Sequence, residues 1–265
     1  MISTLYIIKR LVAALFSLFG VATIAFILFR VVPGDPARLL SGPGFKAEDI
    51  EKIRTTLGLN DPIYIQYFNW MNGVVHLDFG ESFWHKTSSF DLILERLPAT
   101  LELVIVSILM AAVLGGIIGV VSVMRQNQWP DRLVTQFSFF GFSVPDFIWA
   151  TLFVIVFGGI LKVLPISGRI DSSINLNFIT NFMLIDSVIQ GNFIALQSSL
   201  AHLFLPAFAL ALGVVAIIHR TLRTSLLDVM QEPYIFTDRS KGLSERYIFF
   251  VRALKNAALP VLTIT

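Results

Sequence analysis

Few side chains in this sequence have the type and spacing to do chemistry. Glu102 and Asp146 are the acids nearest to long apolar runs, and an ionisable group inside a membrane segment marks an ion or solute pathway unless something ties it down. Glu102 stands a few residues inside its run and is read as reaching back to the interface, as long polar side chains do. Asp146 follows Pro145, which frees a backbone carbonyl. A carboxylate there either lines a polar pathway or sits at a kink held by neighbouring helices, and both readings stay open. His76, His85, His202 and His219 are too scattered to argue for a metal. The phosphate-loop, H-E-x-x-H and G-x-S-x-G signatures are absent, and "GFSVP" at 141–145 lacks the closing glycine. The chain is therefore read as a non-enzyme that binds no cofactor and takes its energy from elsewhere.

The most charged long stretch is "DRSKGLSERYIFFVRALKN" at 238–256, with five basic and two acidic residues. Arg239 and Lys241 fall in the last turn of a helix, where cations complement the dipole, and Gly242 supplies the stop. Ser244 then caps a second helix with Glu245 in its first turn. Two helices thus meet around Gly-Leu-Ser, either as a basic loop that only sets topology or as a docking element. A DNA-reading helix-turn-helix is disfavoured and no nucleic-acid partner is expected. The second helix is mostly apolar (Ile248, Phe249, Phe250, Val251, Ala253, Leu254), whereas a recognition helix needs polar side chains to reach base edges.

The elements that position these groups are membrane helices. The 265 residues are 55% hydrophobic and 14% charged, with 24 Phe, a balance outside that of soluble domains. Crossing a bilayer takes about 20 apolar residues. Leu11–Phe29 and Leu103–Met124 qualify without a charge, Leu133–Leu161 is interrupted only at Asp146, and Leu203–Ile218, extended by Leu196–Leu200, spans as a fourth. The first run is too long for a signal-peptide core and no small-x-small cleavage site follows it, so it is read as retained. Cysteine is absent, which leaves neither disulfides nor thiolate metal sites. Gly115 and Gly119 form a G-x-x-x-G that lets two helices approach closely.

Charge asymmetry orients the chain. Basic residues collect on cytoplasmic loops: Lys9 and Arg10, then Arg125 and Arg132, then seven over 219–255. Segment 32–97 has nine acidic and six basic residues, and 162–199 has only Lys162 and Arg169 as cations, so both are external. A further crossing over Leu176–Leu196 would invert the 219–255 loop and leave Asn177, Asn181, Asp186, Gln190 and Asn192 in lipid; it is rejected in favour of an external, interfacial segment. Within 32–97, Pro33, Gly34 and Pro36 end the first crossing and Ala47–Leu57 forms a short helix closed by Gly58. Ile63, Tyr67, Trp70 and Val74 line one face of a second, which packs on other helices in preference to lying on the membrane. Ser88 or Ser89 caps a third helix to Leu97, and Pro98 opens the next crossing.

The stretch "YIFTDRSKGLSERYIFFVRALKNAALPV" at 234–261 resembles the cytoplasmic loop of permease subunits of bacterial ATP-binding-cassette (ABC) importers of the dipeptide, oligopeptide and nickel type. "VVPGDPARLL", "LGLNDPIYIQYFNWMNGVVHLDFGES", "RLPATLELVIVS", "GFSVPDFIWA", "LPISGR" and "HLFLPAFALALG" resemble that family's landmarks in order. The resemblance implies an all-α polytopic type I permease fold in the bacterial inner membrane. It also implies an N-terminal crossing over 1–31, a periplasmic segment over 32–97 and a permease domain over 98–265 containing the coupling loop 220–255. Implied partners are membrane lipid, a second similar permease, two cytoplasmic ATPases and a periplasmic solute-binding protein. Tyr234, Thr237, Arg239, Lys241, Gly242, Leu243 and Ser244 match the coupling-loop pattern, and Pro145 and Asp146 are the candidates for the translocation pathway.

Two residues depart from that pattern: Asp238 stands where the family generally has a small alanine, and Phe236 where a basic residue is common. After Asn256 about 10 apolar residues remain, half of a crossing, so the expectation is a chain with about 4.5 of six membrane helices, truncated at its C-terminus. The leading reading is a subunit of an ATP-driven importer of peptides or nickel-type solutes. The alternatives are a truncated, non-functional remnant and a stand-alone secondary transporter or channel.

Overall fold

The computed structural model describes residues 4–31, 37–38, 46–56, 58–82, 85 and 87–263. It divides into two compact units, Met1–Glu95 and Arg96–Thr265. The described residues are nearly all helical; the sole β pairing among them is an isolated antiparallel bridge between Glu81 and Ser88. Pro33, Gly34 and Pro36 lie outside the described residues.

In the first unit, α1 (Thr4–Val31) is apolar and exposed along most of its length, as a helix facing lipid is. α2 (Ala47–Thr56) carries Glu48 and Asp49 in its first turn and is followed by Gly58 at φ +62, the left-handed stop expected there. α3 (Ile63–Val75) turns its aromatic face onto α1. Tyr67 shares a 2.8 Å hydroxyl bond with Thr23, and the Phe26 ring meets Tyr67 edge-on at 5.2 Å and Trp70 at 5.6 Å. The aromatic stripe of α3 is therefore a packing surface, as its period suggested.

α4 (Ser89–Met124) continues without a break through Pro98, so the separate helix expected to end at Leu97 is absorbed into it. Proline in a helix interior removes one ladder bond and crowds the preceding turn, but the run beyond it is long and apolar enough to carry the helix on. The Ser88 hydroxyl accepts from the Asp91 amide at 3.5 Å, a loose N-cap. Leu133–Leu161 is not one straight crossing. It forms α5 (Trp129–Ser143) and α6 (Asp146–Phe153), the latter continuing as a π-helical segment Val154–Ile160, and the two parts are bent by 103°. The break falls where Pro145 forces Val144 out of the helical region; Val144 has ψ 128 and Pro145 ψ 140. α7 (Met183–Ile189) is short, and α8 (Phe193–Val229) is the longest helix, passing through Pro206.

One core cluster of the second unit lies where α4 meets α8. A Cβ on Gly115 would lie 2.8 Å from Ile218, and one on Gly119 3.0 Å from Leu222. The glycines admit the neighbouring helix, as the G-x-x-x-G spacing predicts, and Ala111, Ala211, Val215 and Ile218 fill the seam between them. Residue numbers rise together along this seam, so α4 and α8 run parallel. At about 1.5 Å per residue each helix is roughly 54 Å long, more than the roughly 30 Å of a hydrocarbon core, and both cross. Two parallel crossings require the chain between them to return across the membrane an odd number of times. The bent α5–α6 pair is the apolar candidate for that return, which makes it a broken crossing and leaves Leu176–Leu196 outside the spanning set.

Candidate functional site

The charged hairpin at 233–257 is built on a second core cluster. Leu222 and Leu226 of α8 meet Ile235, Ile248, Phe249, Ala253 and Ala257. α9 (Pro233–Ser240) buries only Ile235, which joins this cluster, and Asp238. Tyr234, Phe236, Thr237, Arg239, Ser240 and Lys241 are exposed. Lys241 is the C-cap residue and Gly242 adopts φ +78 with no atom within 4 Å of an added Cβ. The glycine is thus required by backbone conformation, which disfavours L-residues, and not by crowding within the chain.

α10 starts as Glu245–Tyr247, widens into a π-helical segment Ile248–Ala253 and resumes as Leu254–Ala257; α11 (Leu259–Leu262) follows. The Ser244 hydroxyl accepts from the Tyr247 amide at 3.4 Å, and Leu243 packs against the cluster while its amide donates to the Asp238 carbonyl at 3.2 Å. Across the turn the Arg239 guanidinium forks onto Glu245 at 2.7 and 3.1 Å. That hydrogen bond, together with the positive charge, holds the Glu245 carboxyl below the usual carboxylate range. Farther back, the Tyr234 hydroxyl accepts from Asn256 Nδ2 at 2.8 Å, and the Thr237 hydroxyl donates to the Pro233 carbonyl at 3.2 Å. All seven coupling-loop candidates therefore sit in one helical hairpin: Leu243 is turned into it, Gly242 and Ser244 shape its turn, and the others lie on its exposed side.

Pro145 and Asp146 lie at the N-terminus of α6. The Asp146 carboxylate is exposed at the break and packs beside Gly213 of α8, whose added Cβ would stand 3.5 Å from Oδ1. A kink is present at this point. Trp149 braces it, meeting Phe140 edge-on at 5.6 Å and stacking on Phe153 at 5.7 Å. Glu102 does not reach out to an interface. It is 5% exposed and accepts from Arg169 Nη2 at 3.1 Å, the Met183 amide at 3.3 Å and the Leu184 amide at 2.7 Å. A carboxylate that leaves water needs this number of donors, and Glu102 thereby ties the segment before α8 to the head of α4.

At the other end of α4, Asp131 of α5 accepts from the Ser122 hydroxyl, from the Asn127 amide at 3.0 Å, and from Arg223 of α8 through Nε at 3.0 Å and Nη2 at 2.9 Å. Ser122 also accepts from Arg223 Nε at 3.1 Å. Three helices are thus joined at one buried ionic node. The two polar clamps on α4 are centred about 20 residues, or roughly 30 Å, apart, the thickness of a hydrocarbon core.

Residues 3–104 match the N-terminal part of the binding-protein-dependent transport system membrane component, and residues 111–265 match the binding-protein-dependent transport system inner membrane component. The chain belongs to this family of ABC-importer permeases. It is 38% identical over 247 residues to a probable D,D-dipeptide transport system permease of Escherichia coli K12, covering 92% of this chain and 72% of that protein. It is 35% identical to a di/tripeptide transport system permease of Pseudomonas aeruginosa, over 98% of this chain and 77% of that one. It is 34% identical to a glutathione transport system permease of E. coli K12, over 97% and 75%. This permease is accordingly a multi-pass inner-membrane transport subunit and not an enzyme, and it works with other subunits.

Sequence reasoning missed both ionic clamps of the permease and the Ser138–His219 contact, a 2.8 Å bond between α5 and α8. Asp131 and Arg223 are 92 residues apart and Glu102 and Leu184 82 apart. The available signal was weak: an acid in the first turn of a helix and an arginine just past an apolar run, each of which has an ordinary local explanation.

Proposed function

We propose that this permease is the membrane-spanning subunit of an ATP-driven importer of short peptides, paired with a second similar permease, two cytoplasmic ATPases and an external solute-binding protein. The observation that carries this reading is the α9–turn–α10 hairpin. It is anchored on α8 through Leu222 and Leu226 and leaves Tyr234, Phe236 and Lys241 exposed, which suits it to seat in a groove of an ATPase and pass its motion to the membrane helices. The names of the relatives, which concern dipeptides, di/tripeptides and glutathione, support short peptides as cargo.

In this reading the N-terminus, the 125–132 loop and the hairpin are cytoplasmic, in agreement with their basic residues and with the parallel course of α4 and α8. Glu102, held by three donors of its own chain, does not serve as a coupling-ion site. Pro145 and Asp146, at the break between α5 and α6, line the route of the substrate between the two permeases. The test is Gly242→Trp in the assembled transporter. An added Cβ there meets nothing within 4 Å, so the subunit is expected to fold with a local backbone strain of about 1–2 kcal/mol, while ATPase association and ATP-dependent uptake are lost. Unchanged uptake by this variant contradicts the proposal.

A further inference from the structure

We infer that Arg252 sets the rotation of the docking helix α9 by pairing with Asp238, making the two a positioning pair for energy coupling. This inference rests on the proposed role of the hairpin. Asp238 is 7% exposed and faces its own chain, so it does not contact an ATPase. Its carboxylate lies 3.4 Å from Arg252 Nε, and Arg252 is carried by the π-helical segment of α10 next to the fully buried Ala253.

The pair is the middle rung of a ladder. Four residues back along α9 from Asp238 is Tyr234, and four residues on along α10 from Arg252 is Asn256, and these two are themselves bonded at 2.8 Å. Nearest the turn, Arg239 and Glu245 form the third rung. In two antiparallel helices the matched four-residue steps from Asp238 to Tyr234 and from Arg252 to Asn256 keep the same faces opposed over that turn. The Asp238 rung differs from the others in having a buried member. α9 buries Ile235 and Asp238 alone, so what happens at Asp238 decides how the helix is turned. A buried carboxylate without a partner is costly. Deprived of Arg252 it turns toward water, and the turn carries Tyr234, Phe236 and Lys241 out of their docking orientation.

The pairing is directional. Arg252 is about half exposed, so an alanine at 238 leaves a guanidinium that water solvates. Removing Asp238 therefore costs little, whereas removing Arg252 strands a charge. The presence of Asp238 is what makes Arg252 necessary.

The experiment measures peptide uptake per ATP hydrolysed in the complete transporter, reconstituted with its binding protein. Arg252→Ala is expected to accumulate and to co-purify with the ATPases, yet to lower uptake per ATP by roughly tenfold, the scale of one buried charge left unpaired and discounted for the exposure of its partner. Arg252→Lys retains the cation and most of the coupling. Asp238→Ala is close to the parent, and adding it to Arg252→Ala restores coupling to the Asp238→Ala level. The inference is overturned if Arg252→Ala couples normally or if Asp238→Ala fails to rescue it. Should Arg252→Ala fail to accumulate, Arg252→Lys and the double variant must both transport, and failure of either contradicts the pairing. If the parent chain itself does not associate with ATPases, it is the proposed function that fails. If it does and the variants are independent, only the pairing fails.

Discussion

Arg223 of α8 grips Asp131 of α5 with two parallel bonds of 3.0 and 2.9 Å, and the carboxylate is buried while the guanidinium is partly exposed. Bidentate geometry is the strongest form such a pair takes, and removing one member leaves the other unpaired. Arg223→Ala should lower stability by about 3 kcal/mol, with Arg223→Lys intermediate because a point charge cannot fork. The double variant Asp131→Ala/Arg223→Ala should be more stable than Arg223→Ala alone. Thermal unfolding of the detergent-solubilised subunit measures these together with Asp131→Ala, and additive effects of the two alanine singles would show that the node carries no coupling.

The parallel seam of α4 and α8 has no room at Gly115, where an added Cβ would meet Ile218 at 2.8 Å and the Val215 carbonyl at 3.2 Å. Gly115→Val should cost about 1–3 kcal/mol by overpacking. Ile218→Ala in the same chain should recover part of the loss. No recovery would place the cause elsewhere than in this contact.

Glu102 holds the segment ahead of α8 through the Met183 and Leu184 amides and Arg169. Glu102→Ala leaves three donors without their acceptor and should destabilise this attachment by about 2 kcal/mol. The measurement is limited proteolysis between residues 161 and 192, with cleavage appearing in the variant before any global unfolding. Glu102→Gln, which retains a carbonyl but loses the charge, should fall between.

Asp186 is fully buried in the same segment. Burial alone would raise its carboxyl, but hydrogen bonds from the Thr180 hydroxyl and amide and from the Ile179 amide outweigh it and hold it below the usual range. A carboxyl depressed on folding stabilises fully above its unfolded value, near pH 4, and the contribution is lost as pH falls through the lower folded value. Protection of the Thr180 amide against hydrogen exchange, corrected for intrinsic rate, should stay constant from neutrality to about pH 4 and fall below it. In Asp186→Asn it should already be low at neutral pH.

What could be read in the sequence was local. The long apolar helices α1, α4 and α8, the Gly242 stop, the Ser244 cap and the Gly115/Gly119 spacing each depend on local residues, and each appears where the pattern puts it. The break at Pro145 was half legible: proline supplied the kink, but a run with only Asp146 in it still looked like one crossing. Glu102 was misjudged because its partners arrive from 67 to 82 residues away. The same distance hid the Asp131–Arg223 node and the partner of the glycine seam. Asp238 was noticeable as a departure from the family's alanine, yet only the fold shows that it points inward at Arg252.

The most direct test of the account is what touches the outward face of α9. Phe236 is 55% exposed there, while Phe142 of α5 is 64% exposed on a membrane helix. A photo-crosslinking residue at each position, in membranes of cells expressing the complete transporter, should give an adduct at 236 with a protein carrying the G-x-x-x-x-G-K-[ST] phosphate loop, identified by mass spectrometry, and none at 142. Absence of that adduct at 236 in a transport-competent complex would contradict the docking role of the hairpin.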